Sequence, residues 1–124
     1  MRSKAITISL ALIIFLLFIL SIGSTYLYFN KITDFEKELN HITQLSKLEK
    51  WNEANLQFKK VKDIWNKGQY LITLNYAEAD YTDINTEFEE LNTAIQTQDY
   101  NNVLKTVKAI LEHQHNFQRI LPLP

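Results

Sequence analysis

The three histidines are the first candidates for chemistry, because imidazole is a common ligand of zinc. His113 and His115 stand two positions apart, so on a helix they point in different directions. A helical metal pair needs the i, i+4 spacing and an acidic partner. His41 is predicted to lie on the exposed side of its helix. We therefore interpret all three as surface histidines and expect no metal ligand in the chain.

Carboxylates are the next candidates, since six acidic residues and no basic one lie between positions 78 and 90. They are Glu78, Asp80, Asp83, Glu87, Glu89 and Glu90. Glu87 and Glu90 come close on a helix, at i and i+3. However, a two-metal helical bundle also needs matching inward carboxylates on its other helices, and we expect none on the first helix. A solvated acidic face is the expected interpretation.

Nucleophiles and phosphate loops complete the search for chemistry. The chain has no cysteine and only two glycines, and Ser46 is the only serine after residue 24. No base stands at a telling distance from Ser46. We predict that the protein is not an enzyme and has no catalytic residue, no cofactor and no metal. Trp51 and Trp65 could anchor a partner protein, but their place on an apolar stripe favours the core of a bundle.

An apolar run, Ala5 to Phe29, determines where the rest of the chain is located. It holds 25 residues without a charged side chain, more than the roughly 20 that span a bilayer core. Arg2 and Lys4 precede it, and positive residues stay in the cytoplasm. The sequence therefore predicts a single-pass anchor in the cytoplasmic membrane, with residues 5–29 in the lipid bilayer. Tyr26, Tyr28 and Phe29 at its far end are expected at headgroup level.

A cleaved signal peptide is the alternative, since Ser21-Ile22-Gly23 places small residues where signal peptidase reads them. The apolar stretch is longer than the roughly 7–15 residues of a signal core, which favours an uncleaved anchor. The helix-weakening residues Gly23-Ser24-Thr25 leave a second question open. The anchor helix either ends there or continues into the first helix of the domain.

Residues 30–124 are long enough for one small extracytoplasmic domain. They contain all 14 acidic residues and 11 of the 13 basic ones, a net charge of −3 that favours no nucleic acid partner. Between Ser24 and Leu121, Gly68 is the only strong helix breaker. This composition predicts an all-α fold, with the N-terminal transmembrane helix followed by an antiparallel four-helix bundle made of two hairpins, 30–66 and 74–118.

Apolar residues at steps of three and four predict each helix. The first, 30–48, has an inward stripe from Ile32 to Leu45, and the second, 49–66, ends at Asn66-Lys67-Gly68 with Gly68 in the left-handed conformation. Residues 70–74 are predicted as the first turns of the third helix or as an apolar loop. The third helix carries a heptad pattern: Leu74, Ala77, Tyr81, Ile84, Phe88, Leu91 and Ile95. Asp99 caps the fourth, 100–118, and residues 120–124 form an extended tail.

A shift of 49 residues aligns the chain with itself and predicts a repeated hairpin. Ile32-Thr33-Asp34-Phe35 meets Tyr81-Thr82-Asp83-Ile84, and the apolar positions of the following helix also coincide. Two such hairpins can bury each other's stripes. The second helix is rich in lysine and the third in acid, so we expect these two to lie antiparallel with opposite charges facing.

The anchor, the Trp51 to Trp65 helix and the acidic heptad helix together resemble a domain-of-unknown-function family. Its members are short membrane-anchored helical proteins from spore-forming Gram-positive bacteria. The likeness is strongest over 48–65 and 83–112. Members often carry a His-acid pair after the central turn, where this chain has Asn75-Tyr76-Ala77-Glu78. The resemblance implies no activity and no functional residue.

An anchored bundle without a chemical site favours a protein-interaction or accessory module at the outer face of the cytoplasmic membrane, with a protein partner. The first alternative is an extracytoplasmic ligand-sensing bundle. The second is a secreted helical factor released by cleavage after Gly23.

Overall fold

The chain is helical throughout the part that the structure describes. This computed structural model describes residues 2–73 and 78–119, with side chains at 3–21, 23–24, 26–69 and 83–115. A π-helical turn, Tyr28–Ile32, follows the first of the α-helices, which are α1 (Arg2–Leu27), α2 (Phe35–Lys47), α3 (Trp51–Thr73), α4 (Glu78–Gln96) and α5 (Tyr100–Arg119). The predicted all-α class is confirmed.

Helices α2 to α5 form a small antiparallel bundle of two hairpins, as predicted. The turns 48–50 and 97–99 are so short that α2 and α3, and likewise α4 and α5, must be antiparallel neighbours. Helix α3 also packs on α4, and α2 on α5, so the four helices form a ring in chain order. We call the end with the two short turns the distal end. The opposite, proximal end receives the chain from α1.

One buried stripe on each bundle helix builds the core. Its members recur at steps of three and four, the spacing that places side chains on one face of a helix. Fourteen of them are at most 8% exposed: Phe35, Leu39, Ile42, Ala54, Phe58, Val61, Trp65, Ile84, Phe88, Leu91, Ile95, Val103, Val107 and Ile110. Burying one large side chain of this kind stabilises a fold by about 1.5–3 kcal/mol. Packing therefore replaces the disulfides that a chain without cysteine cannot form. Of the predicted heptad, Leu74, Ala77 and Tyr81 lie outside the described side chains.

The helix that begins in α1 ends before α2 begins. The π-helical turn widens its last five residues, and Asp34 then adopts φ 46°, ψ 56°, the left-handed conformation that ends a helix. Aspartate tolerates this conformation better than most residues. Because the periodicity is interrupted here, Ile32 is 75% exposed, and its predicted place on the inward stripe is wrong. The anchor helix and the first bundle helix are thus separate.

Gly68 does not end the second bundle helix, contrary to prediction. Helix α3 runs through it to Thr73, and no described glycine has a positive φ. Residues 70–73 therefore belong to the end of α3 and not to the third helix. Gly68 is buried because the rings of Tyr28 and Phe29 lie directly on it. A Cβ built there would stand 2.5 Å from Cε1 of Tyr28 and closer still to Cζ of Phe29. Its role is close packing.

The two distal turns have the same backbone geometry, as a repeated hairpin predicts. Glu49 and Gln98, which are 49 residues apart, both adopt a left-handed conformation, with φ 60° and 54°. The N–H groups of Glu49 and Lys50 donate to the carbonyls of Ser46 and Leu45, and those of Gln98 and Asp99 donate to Ile95 and Ala94 at the same offsets. The hairpins α2–α3 and α4–α5 are therefore structural repeats, related by half a turn about the bundle axis.

The predicted cap of the last helix is also present. The backbone N–H of Asn102 donates to the Asp99 carboxylate across 3.2 Å. This contact satisfies one of the free donors at the start of α5. The predicted extended tail, 120–124, lies outside the described residues.

Helix α1 contains a segment, Ser3–Ser21, that is long and apolar enough to cross a membrane. None of that segment is buried against the rest of the chain. A signal sequence near an N-terminus has the same properties. The finding therefore supports either a membrane anchor or a signal sequence.

Candidate functional site

The histidines predicted to be surface residues have different surroundings. His41 is exposed. His113 is half-buried, and its Nε2 lies 3.0 Å from Oε1 of Glu87 on α4. The side chain of His115 is 50% exposed, and its Nε2 lies 3.8 Å from a carboxylate oxygen of Glu36 on α2. Among the described residues, no three His, Asp or Glu side chains are grouped closely enough to hold a metal ion.

Glu87 is turned inward, although a solvated acidic face was expected. Its side chain is only 17% exposed, whereas Asp83, Glu89 and Glu90 face solvent. Burial raises the pKa of the Glu87 carboxyl, and the neighbouring His113 acts in the opposite direction. Oxygen Oε2 of Glu87 is buried and has no hydrogen-bond partner in the described part of the chain. This pair is a half-buried polar contact between α4 and α5.

Helix α2 also has an inward glutamate, Glu38, at the position equivalent to Glu87, although no inward carboxylate was expected on the first bundle helix. The Glu38 carboxylate accepts a hydrogen bond of 2.7 Å from the Gln57 amide and lies 3.0 Å from Nζ of Lys60. These two donors, together with the positive charge of Lys60, lower the pKa of Glu38. Each hairpin therefore joins its two helices through one partly buried glutamate, with an amide and a lysine as partners in the first and a histidine in the second.

Trp65 and Ser46 belong to the core. Trp65 is 1% exposed, and its indole N–H donates to the Asn85 side-chain oxygen across 2.6 Å. Trp51 is partly buried against the same core. The core location favoured for the tryptophans is thus observed. Ser46 is 1% exposed, and its hydroxyl has no hydrogen-bond partner among the described residues.

The ion pairs expected between the lysines of α3 and the acidic residues of α4 are not observed among the described side chains. These helices do pack together. Lys60 turns instead to Glu38 on α2. Lys62 lies over the Phe88 ring with its Nζ 5.1 Å from the ring centre. Burial lowers the pKa of Lys62, and the nearby Glu89 partly offsets this effect.

The junction between α1 and the bundle is built from aromatic rings. Phe29 is 4% exposed and lies 5.4 Å from Phe35 and 6.0 Å from Trp65, measured between ring centres. The Tyr28 hydroxyl donates to the Ile64 carbonyl across 2.7 Å. These contacts were not predicted, and the place of the aromatic residues at headgroup level stays a prediction. Both rings are committed to the proximal end of the bundle.

Two open grooves lie at equivalent positions on the two hairpins. The first face, between α2 and α3, has a volume of about 570 Å³ and includes His41, Leu45, Glu53, Leu56, Gln57 and Lys60. The second face, between α4 and α5, has a volume of about 500 Å³ and includes Glu89, Glu90, Thr93, Ala94, Lys105 and Thr106. Their chemistry differs. Leu56 lines the first face and is 65% exposed, and Leu48, 63% exposed, lies in the turn that follows α2. The equivalent residues of the second hairpin are Lys105 and Thr97.

Spacing along the chain predicted neither the Glu87–His113 pair nor the contacts of Tyr28 and Phe29. Glu87 and His113 lie on different helices, so their contact depends on how α4 and α5 rotate against each other. One signal was available, since the 49-residue shift aligns Glu38 with Glu87 inside the periodic stripes. A glutamate kept in both repeats beside core positions indicates a packed carboxylate.

Residues 24–120 match the family described as "Domain of unknown function (DUF4363)". The match covers most of the chain, so the protein belongs to this family, and the resemblance to a family of unknown function is confirmed. No curated protein and no solved structure matches the chain significantly.

Proposed function

We propose that this chain is a single-pass membrane protein that holds its helical bundle at the outer face of the cytoplasmic membrane. There the bundle binds a protein partner and performs no catalysis. Support for the anchor comes from α1, whose apolar segment Ser3–Ser21 is exposed along its whole length. An apolar surface of this extent is stable in a bilayer and costly in water.

Charge around α1 supports the orientation. Arg2 and Lys4 lie at the N-terminal end of α1, before the uncharged run Ala5 to Phe29, and the first acidic residues, Asp34 and Glu36, follow that run. Positive residues beside a membrane helix favour the cytoplasmic side. The bundle then lies outside, close to the membrane, because only the six residues 28–33 separate α1 from Asp34.

The exposed leucines of the first hairpin are the observation that carries the interaction proposal. Leu48 and Leu56 are more than 60% exposed while the equivalent positions of the other hairpin are polar. The two repeats share one core pattern, so the difference between their surfaces is not required by folding. Apolar side chains grouped at a groove and rimmed by polar residues are typical of protein-binding surfaces.

Photo-crosslinking from the first face tests this proposal. The chain has no cysteine, so Leu56→Cys in the full-length protein can carry a thiol-linked photo-crosslinker in producing cells. We expect a crosslinked protein adduct from position 56 and much less from Lys108→Cys, which is exposed and outside both faces. Only uncrosslinked monomer from both positions would contradict the proposal.

A ligand-sensing bundle is the second candidate, because both grooves fall within the roughly 300–1,000 Å³ typical of small-molecule sites. A ligand that binds only the folded state raises the melting temperature. A thermal-shift screen tests this candidate, and a screen without any stabilising compound would count against it. The fragment should begin at Ser24, because one that begins at Asn30 lacks Tyr28 and Phe29.

A secreted factor is the third candidate. The family match begins at residue 24, directly after the possible cleavage site. The product of such cleavage would keep Tyr28 and Phe29 and hence the whole described core. Mass spectrometry of the mature protein decides between this candidate and the anchor. An intact N-terminus on the membrane-bound chain excludes cleavage.

A further inference from the structure

We propose that the protein associates with copies of itself, with the first face of one copy against the second face of the next. This inference rests on the proposed protein-interaction function and names its partner as a second copy of this chain. It follows from the different chemistry of two faces that the repeat places on opposite sides of the bundle.

The repeat fixes the positions of the two faces. Half a turn about the bundle axis superposes α2 on α4 and α3 on α5, because equivalent helices run in the same direction. The two faces therefore point in opposite directions and lie at the same distance from the proximal end. Copies anchored side by side in one membrane can then meet first face to second face without tilting.

The two faces differ in their side chains, with exposed leucine at the first and none at the second. The first face exposes Leu56, and Leu48 is exposed in the turn after α2, whereas Leu45 is partly buried against the core. The equivalent residues of the second hairpin are Lys105, Thr97 and Ala94. A leucine of one copy can thus pack against the small side chains Ala94 and Ala109 and the aliphatic stem of Lys105. Removing Leu48 and Leu56 from water supplies the driving force.

Charge favours this pairing over a symmetric contact. The first face carries Lys50 and Lys60 against Glu53, and Lys60 is paired with Glu38 whereas Lys50 has no ion pair among the described side chains. The second face carries Glu89 and Glu90 against one base, Lys105. A symmetric contact of two first faces would bring the lysines of both copies into one interface, which opposes association. First against second brings Lys50 to a surface with a net negative charge, which guides encounter and register.

An interface of this kind does not close on itself. Each copy keeps one free first face and one free second face, so further copies can add in a row. The anchors confine this row to the membrane plane.

Disulfide trapping between engineered cysteines tests the inference. Leu56→Cys and Thr93→Cys both lie at exposed positions, one on each face, and the natural chain has no competing thiol. The two full-length variants, purified in detergent and carrying tags of different size, are mixed under mild oxidation. We expect a 56–93 disulfide to form about tenfold faster than in the control pair, because docking raises the local thiol concentration.

The control pair is Lys59→Cys with Lys108→Cys. These positions are exposed, are 49 residues apart and lie outside both faces. Adding Glu90→Lys to the Thr93→Cys chain should slow the 56–93 bond at low salt, since it removes part of the charge complementarity. The chain with both Leu56→Cys and Thr93→Cys should give a ladder of dimers, trimers and longer species.

A second measurement uses the natural faces. Sedimentation of the unaltered full-length protein in detergent should show association that rises with concentration, and Leu56→Lys should leave the monomer. A dominant 56–56 disulfide would show a symmetric contact and overturn the inference, as would equal rates in the test and control pairs. If position 56 crosslinks a different protein in cells while no 56–93 bond forms, the proposed function stands and self-association is refuted.

Discussion

Replacing Gly68 by alanine tests whether the aromatic junction holds the end of α1 against the bundle. In an ordinary helix interior, this change stabilises a protein by about 1 kcal/mol, because glycine has the greater freedom when unfolded. At Gly68 the added Cβ would stand 2.5 Å from Cε1 of Tyr28 and closer to Phe29. Overpacking a filled site typically costs about 1–3 kcal/mol.

The surroundings of the two rings decide which effect is larger. Tyr28 is held by its hydrogen bond to the Ile64 carbonyl, and Phe29 is packed between Phe35 and Trp65. Neither ring can move away without losing those contacts, so the cost should lie in the upper part of that range, at about 2–3 kcal/mol. Subtracting the gain of about 1 kcal/mol leaves a net loss of about 1–2 kcal/mol. For a domain of this size, that loss lowers the melting temperature by about 5–10 °C.

Thermal unfolding of the full-length protein in detergent, followed by circular dichroism, measures the change. Gly23→Ala is the matched control, since a Cβ at that helical glycine meets nothing within 4 Å. In a Phe29→Ala background the crowding is relieved, and Gly68→Ala should cost much less. The reasoning would be refuted if Gly68→Ala raised the melting temperature as Gly23→Ala does.

Three further substitutions test the buried polar groups. Glu38→Gln should lower stability at pH 7 by about 1 kcal/mol. Because the Glu38 pKa is lowered from its ordinary 4.5, its contribution is lost as pH falls below that value, so the variant should lose less stability on acidification than the parent does. Ser46→Ala should raise stability by about 1 kcal/mol, since it removes a buried hydroxyl without a described partner; a loss would show an unrecognised hydrogen bond. His113→Ala removes a group that lowers the Glu87 pKa, so the raised pKa should rise further. Stability of that variant should fall more steeply as pH increases from 4.5 towards 7, and adding Glu87→Gln should abolish the difference.

Periodicity and the 49-residue repeat were enough to predict the helices, the hairpins and most of the core. Steps of three and four placed Ile84, Phe88 and Leu91 inward, and all three are buried. Such a pattern is local, and every α-helix places residues three and four positions apart on the same face. The predicted cap at Asp99 succeeded for the same reason, because its partner Asn102 is three residues away.

The errors and omissions concern residues whose role depends on distant neighbours. A lone glycine after Asn66-Lys67 is typical of a helix end, yet Gly68 lies inside α3. Two rings from the end of α1 occupy the space that a larger side chain would need there. Tyr28 and Phe29 terminate an apolar run, and only tertiary packing shows that they contact the core. His113 pairs with Glu87 across two helices. Spacing along one helix carries no information about that contact.

Thiol labelling in intact cells tests the central claim, that α1 tethers an outward-facing bundle to the membrane. Lys108→Cys gives the full-length chain a single exposed thiol on α5. We predict that a membrane-impermeant maleimide labels it without lysis, and that the labelled chain stays with the membrane and retains its N-terminus. Labelling only after lysis, or a labelled chain that begins at Ser24 in the medium, would contradict the claim.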